Sequence, residues 1–267
     1  MPENNNPNQR LTIRIGRSTL AFARSTDAGK DIIYEPYVVK SGISMAANLR
    51  EAFKKSDLLL DLPQRVRVLL DTDVLLVPVE LFSEDAMETM MHHAFPATAS
   101  EAVCHNVLPD LNAVAVFAIN RDLRLVLDDH FQDVQLIAAI TPVWRLLHHR
   151  SYPGPRRKLY GYFHDGQLDV FSFQQNRFKF SNCFAASRAH DSLYFLLYVW
   201  KQLQLSAEYD EMHLVGDIPD EPWLLSELKK YVHNAFIVNL STDFGESQPA
   251  TSKAIPCDLL TFIVKGR

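Results

Sequence analysis

Residues Lys158–Phe184 read KLYGYFHDGQLDVFSFQQNRFKFSNCF, and this stretch decides the fold class. Leu159, Tyr160, Tyr162 and Phe163 precede His164-Asp165-Gly166, and Asp-Gly between apolar runs is the strongest short-range hairpin signal. Leu168, Val170, Phe171 and Phe173 make a second run, Gln174-Gln175-Asn176 a second turn, and Phe178, Phe180, Cys183 and Phe184 a third run. The alternation is nearly period two, as a sheet with a covered face requires. The next stretch, 189–205 (AHDSLYFLLYVWKQLQL), predicts a long helix, apolar all round and therefore buried.

The N-terminal half repeats this plan. Leu11, Ile13 and Ile15 alternate up to Gly16, Leu20, Phe22 and Ala23 follow an Arg17-Ser18-Thr19 turn, and Ile32–Val39 is a third strand after Thr26-Asp27-Ala28-Gly29. Pro36 marks that strand as an edge or a bulge. Ser44 is placed to cap a helix carrying Met45, Leu49, Ala52 and Phe53. Strand-strand-strand-helix thus occurs at 11–56 and again at 158–205.

Between the copies, RVRVLL (65–70) and Val74–Val79 read as strands joined by a hairpin turn at Asp71-Thr72-Asp73. Ser83 is expected to cap a helix holding Met87, Met90, Met91 and Phe95, which Pro96 ends. Val103–Leu108 and Val114–Ile119 form a strand pair, and Asn120 caps a helix with Leu123, Leu127 and Phe131. Val134–Ile140 is a strand, and Pro142 suits the first turn of a helix to Arg150. Ser151-Tyr152-Pro153-Gly154-Pro155-Arg156-Arg157 is the linker. Beyond it, Met212–Val215 is a strand ending at Gly216-Asp217, Pro222 starts a helix, Ala235–Leu240 is a strand, and 241–253 is a polar loop. The type of Pro256–Val264 is not fixed by its pattern.

The 267 residues suffice for two domains of ordinary size, and 47% hydrophobic with 22% charged residues is ordinary globular composition. A formal charge of -5 gives no support to nucleic acid or anionic membrane as the main partner. No run reaches the ~18 apolar residues of a membrane-crossing helix. MPENNNPNQR reads as a disordered leader. Cys104, Cys183 and Cys257 are too far apart for a metal-binding CxxC and build no disulfide framework, which points to the cytoplasm.

Three meandering strands, a helix, a strand, a helix and a strand, occurring twice, resemble the duplicated ribonuclease-H-like unit of the actin, sugar-kinase and Hsp70 superfamily. The segment from VLLVPVELF through the Met-rich helix, the strand pair and NRDLRLVLDDHF resembles the inserted subdomain of the type IV pilus and type II secretion actin-like proteins. The chain is similar, over about residues 11–264, to a bacterial family of actin-like ATPase fold with no assigned function. The resemblance implies an α/β protein of two ribonuclease-H-like, actin-like lobes. They would be residues 11–152, with an inserted α+β subdomain at about 74–119, and residues 156–267.

Active members of that superfamily hold Mg-ATP with a loop after the first strand of each half, an acidic residue followed by glycine and small residues. The corresponding stretches here are Gly16-Arg17-Ser18, with Arg14 or Ile15 at the acidic position, and Asp165-Gly166. The adenosine-side loop would be Gly216-Asp217, with one glycine where two are usual. These seven residues are the nucleotide-binding candidates, and each motif is partial. The glycines equally fit hairpin turns needing positive φ.

Other chemistries find less support. A two-metal nuclease needs a carboxylate on a first strand, and LTIRI and KLYGYF have none. His92-His93 and His148-His149 lack the i, i+4 spacing of a helical metal pair. Asp71/Asp73 and Asp128-Asp129 read as turn and helix-face carboxylates, and no GxSxG elbow is present. Cys104 and Cys183 read as packing thiols, and the aromatics Phe171, Phe173, Phe178, Phe180, Tyr194, Phe195, Tyr198 and Trp200 as core, with an outward row as the alternative. Arg150, Arg156, Arg157 and Lys158 make a small basic cluster that fits a solvated hinge or an anion site. The expectation is therefore a non-catalytic, cytoplasmic scaffold with a protein partner and no catalytic residue, metal or cofactor. The alternative is a nucleotide-binding ATPase or kinase relative taking ATP and Mg²⁺ through atypical cleft residues.

Overall fold

The computed structural model describes residues 11–25, 32–59, 65–96, 100–151, 155–174, 177–239 and 255–265. The leader, the turns at 26–29 and 175–176, residues 152–154 of the linker and the 241–253 loop lie outside the described residues. The chain divides into two compact units. One is Met1–Leu108, Ala113–Val143 and Glu246–Arg267, and the other is Pro109–Asn112 and Trp144–Gly245.

In the first unit, β1 (Leu11–Ile15), β2 (Leu20–Ser25), β3 (Ile32–Tyr37), β4 (Arg65–Leu70) and β8 (Asp133–Ala138) form one sheet ordered β3-β2-β1-β4-β8. The β1–β2–β3 meander is antiparallel, whereas β4 runs parallel to both β1 and β8. Pro36 is tolerated because β3 is an outer strand, where only alternate N–H groups serve the ladder. Leu11, Ile13, Ile15, Phe22, Val66 and Val68 share one face and are buried against helices α1 (Met45–Ala52) and α3 (Arg121–His130). Both helices begin as their capping residues require. Ser44 Oγ accepts from Ala47 N–H at 3.2 Å, and Asn120 Oδ1 accepts from Asp122 and Leu123 N–H at 3.0 and 3.2 Å.

The opposite face is closed by Pro256–Val264, which proves to be helical, as α7 (Cys257–Lys265). Arg14 is 1% exposed there and places Nε and Nη2 on the two carboxylate oxygens of Asp258, both at 2.8 Å. Its Nη1 donates to Thr19 Oγ1 at 3.0 Å, and the Arg67 guanidinium lies 5.2 Å from the Phe262 ring centroid. Arg14 thus anchors a helix to the sheet.

A three-stranded sheet, β5 (Val74–Pro78), β6 (Glu101–Leu108) and β7 (Ala113–Asn120), is ordered β5-β7-β6 and packs Val77, Val114 and Val116 against Met91 of α2 (Met87–Ala94). Asp71-Thr72-Asp73 therefore joins two sheets and does not close a hairpin. Both edges of β4 are taken by β1 and β8, so β5 has no place beside it. Ser83 makes no side-chain cap. A 3₁₀ turn at Glu84–Ala86 intervenes, and α2 starts only at Met87. Asn106 of β6 fastens to β8, with Nδ2 donating to Leu136 O at 2.9 Å and Oδ1 accepting from Ala138 N–H at 3.0 Å.

In the second unit, β9 (Lys158–His164), β10 (Gln167–Gln174), β11 (Arg177–Ala185), β12 (Glu211–Gly216) and β13 (Asn234–Ile237) are ordered β11-β10-β9-β12-β13. This is again an antiparallel meander with two parallel strands on its first-strand side. Leu159, Phe163, Leu168 and Val170 form a core with helices α5 (Ala189–Gln202) and α6 (Glu221–Leu228). Tyr160, Phe171 and Phe173 face the other way, where Trp144 and His148 of α4 (Ile140–Ser151) meet Phe171 and Phe173 edge-on. Helix α5 is not buried all round. Leu196 and Val199 point inward, but Tyr194 is 63% and Tyr198 48% exposed, their rings stacked 6.1 Å apart. A tyrosine ring can pack along a helix while its hydroxyl stays in water, which an apolarity pattern does not register.

Candidate functional site

In an open α/β sheet, ligands bind outside the carboxyl ends of the parallel strands. In the first unit that end is formed by β1 and β4. Gly16, Arg17 and Ser18 follow β1, and the Gly16 N–H donates to Thr19 O at 2.8 Å in a tight turn. Asp71, Thr72 and Asp73 follow β4, with the Asp71 N–H on Ile15 O at 2.9 Å. Arg17 leans across: its Nη2 lies 2.5 Å from Asp73 Oδ1 and its Nε 3.8 Å from Asp71 Oδ1. One guanidinium thus meets two carboxylates at the carboxyl end of the parallel strands β1 and β4. Asp71 and Asp73 as partners of Arg17 escaped the sequence reading. The signal was their position directly after a parallel strand.

In the second unit the same end is formed by β9 and β12. Asp165 (φ 45°) and Gly166 (φ 73°) are both left-handed, the requirement of a two-residue type I′ turn. Gly216 (φ 95°) pairs in register with Phe163, and a Cβ built on it would lie 2.0 Å from Phe163 O. The Asp217 N–H donates to that same carbonyl at 2.9 Å. These four candidates therefore do share one end of a sheet, and both glycines have a backbone reason to be there. Beside them, His164 Nε2 lies 2.6 Å from Asp169 Oδ2, buried across the β9–β10 hairpin, with the His164 ring stacked on Tyr162 at 4.7 Å. The β9–β10 hairpin sets these two residues diagonally across the ladder, His164 opposite Gln167 and Asp169 opposite Tyr162, which their spacing of five does not announce.

A second polar cluster lies at the opposite end of this sheet. Glu211 opens β12, opposite Lys158 of β9, and receives His213 Nε2 at 3.0 Å, Arg156 Nη1 at 3.3 Å and Lys158 Nζ at 4.0 Å. Arg157, expected with Arg156 in a hinge cluster, is fixed by Asp210, with Nη2 at 2.7 Å from Oδ2. The His213 ring lies between Tyr160 (5.3 Å) and Phe236 (5.5 Å). Burial lowers the His213 pKa below its usual 6.5 despite the Glu211 carboxylate, and burial pushes the Tyr160 hydroxyl up to about 12. Burial opposes ionisation of Glu211 too, but the hydrogen bond from His213 leaves its carboxyl below the usual range.

A histidine whose folded pKa is depressed binds its proton more readily when unfolded, so stability rises with pH from the folded value through 6.5. Between pH 7.5 and 5.5 the urea midpoint is expected to fall, and less so in His213→Gln. An equal fall in both proteins would contradict this environment for His213.

Of the remaining sequence candidates, Cys183 lies opposite Asp169 in the β10–β11 ladder. His92 and His93 are exposed on α2, Asp128 pairs with Arg124 at 2.8 Å along α3, and Cys104 and Cys183 are half-buried in β6 and β11. Burial raises the Cys104 thiol pKa, the opposite of what a nucleophile needs. Among the described residues, no helix is long and apolar enough to cross a membrane.

A structure from Bacteroides thetaiotaomicron, a protein with actin-like ATPase fold and unknown function, superposes with a TM-score of 0.84 at 27% identity, covering 98% of each chain. The PilM-PilN type IV pilus biogenesis complex matches at a TM-score of 0.57 and 14% identity, over 96% of this chain and 97% of that one. No curated protein matches. The fold is that of the actin-like ATPases. A family described as a protein of unknown function, DUF3822, matches residues 2–235, and the chain belongs to that family.

Proposed function

We propose that this chain is a non-catalytic, cytoplasmic scaffold that acts by binding another protein, built as two ribonuclease-H-like lobes with an inserted subdomain at about 74–119. Arg17 carries this reading. Mg²⁺ in such a site needs carboxylate oxygens, directly or through water, and phosphates need free backbone N–H groups. The two carboxylates after β4 instead meet the guanidinium of Arg17, and the N–H groups of Gly16, Asp71 and Asp217 are bonded to backbone carbonyls. Gly16, Arg17, Ser18, Asp165, Gly166, Gly216 and Asp217 then serve as turn and packing residues, with no ATP, Mg²⁺ or other cofactor required and no nucleic acid as partner. Two further facts support the reading: the repeated strand order of the two five-stranded sheets, and a fold shared with a pilus protein found in complex with another protein.

Affinity co-purification of the full chain from its native cells, with and without Mg-ATP in the buffer, tests the role. The expected result is a protein recovered in stoichiometric yield under both conditions and binding the purified chain after recombinant expression. Recovery that depends on Mg-ATP, or no protein recovered, would overturn it.

A further inference from the structure

The charge of this protein is unevenly placed. Residues 74–108 carry Glu80, Glu84, Asp85, Glu88 and Glu101 and not one Lys or Arg, although the chain has 27 basic and 32 acidic residues. The remainder holds 27 of each sign, so the formal charge of -5 is the charge of this segment. An asymmetry of this kind is a statement about partners, since a patch of one sign steers and selects the opposite one.

The same segment exposes apolar groups. After β5 the chain turns through Val79–Leu81, held by the Phe82 N–H on Val79 O at 3.3 Å. Phe82 packs on the core of the three-stranded sheet with its ring 5.1 Å from His105. Val79 and Leu81 are left 42% and 69% exposed, interleaved with exposed Glu80 and followed by exposed Glu84 and Asp85. Strand β5 itself is an outer strand, and among the described residues it pairs only with β7. An apolar outer strand without Lys invites another strand, and β5 reads VLLV before its last residue, Pro78.

We propose that the edge of β5 and the Val79–Asp85 arm form a docking surface for an extended, Lys/Arg-rich segment of a partner protein. Alternating apolar side chains of that segment would meet Val79 and Leu81, and its basic side chains would meet Glu80, Glu84 and Asp85. The chain's own segments do not fit: residues 1–10 offer one Arg against one Glu, and 240–254 one Lys against two acids. The rest of a second copy is charge-balanced and offers no complementary excess. This proposal rests on the protein-partner reading above and specifies where that partner sits.

A fluorescein-labelled peptide of alternating lysine and valine, with a glutamate-valine control, tests it by anisotropy on the full chain. Binding of the lysine peptide is expected to saturate and to weaken about tenfold or more in Glu80→Gln/Glu84→Gln/Asp85→Asn and in Leu81→Ser, and to weaken with added salt. All four positions are exposed, and circular dichroism verifies that the variants fold. Equal affinity for wild type and both variants, equal binding of the glutamate peptide, or no binding would overturn the surface. The triple-charge variant used as bait separates the two readings. A partner recovered equally with wild type and variant overturns this surface and leaves the scaffold reading intact, whereas a partner lost only with the variant supports both.

Discussion

Gly216→Val is expected to abolish soluble expression of this protein or to lower its stability by about 3 kcal/mol or more. The reason is backbone geometry at the end of β12. With φ at 95°, the residue is in a region that L side chains rarely adopt, and its Cβ would fall 2.0 Å from Phe163 O, 3.0 Å from the carbonyl carbon and 3.1 Å from Phe163 N. No rotamer change relieves a clash with backbone, so β12 would have to leave β9 at the point where the Asp217 N–H also bonds Phe163 O. Gly166→Ala is the informative comparison. Its φ is 73°, but the nearest atom to a new Cβ is Ser187 Cβ at 3.6 Å, so only the conformational penalty of about 1 kcal/mol applies. Urea denaturation of both variants checks the contrast. A Gly216→Val protein with a wild-type midpoint would contradict the close approach.

The second large effect is expected at Arg14 and Asp258. Their bidentate pair is almost fully buried, and Asp258 Oδ1 also accepts its neighbour Leu259 N–H at 2.6 Å. Removing either charge alone, as in Arg14→Met or Asp258→Leu, leaves the other buried without its counter-charge and is expected to cost about 3–5 kcal/mol. The double variant Arg14→Met/Asp258→Leu should recover most of that loss, because buried pairs can be replaced by well-packed apolar residues at little cost. A double-mutant cycle in urea measures this. Additive losses in the double variant would show that the two side chains do not depend on each other.

Much of the fold was legible because its signals are local. The period-two runs of 158–184, Asp165-Gly166 as a tight turn, Ser44 and Asn120 as caps and Pro36 on an outer strand each depend on a few neighbouring residues. What escaped is non-local. Asp71-Thr72-Asp73 looks like a hairpin turn until both edges of β4 are seen to be taken. The helix at Cys257–Lys265 is short, and Arg14 and Asp258 are separated by 244 residues, so no periodicity reveals their pairing. Ser83 has the chemistry of a cap without the geometry, since a 3₁₀ turn stands between it and α2. The apolar look of α5 concealed Tyr194 and Tyr198, which pack on each other at the surface. For the candidate site, the residues were legible one by one, but the contact of Arg17 with Asp71 and Asp73 depends on two strands lying side by side.

That contact makes isothermal titration calorimetry with Mg-ATP the most direct measurement of whether this actin-like fold binds nucleotide. No saturable heat is expected for the wild type up to about 1 mM, where a binding free energy of about −4 kcal/mol would register. Saturable Mg-ATP binding that is lost in Gly16→Val, with the variant's fold verified by circular dichroism, would contradict it.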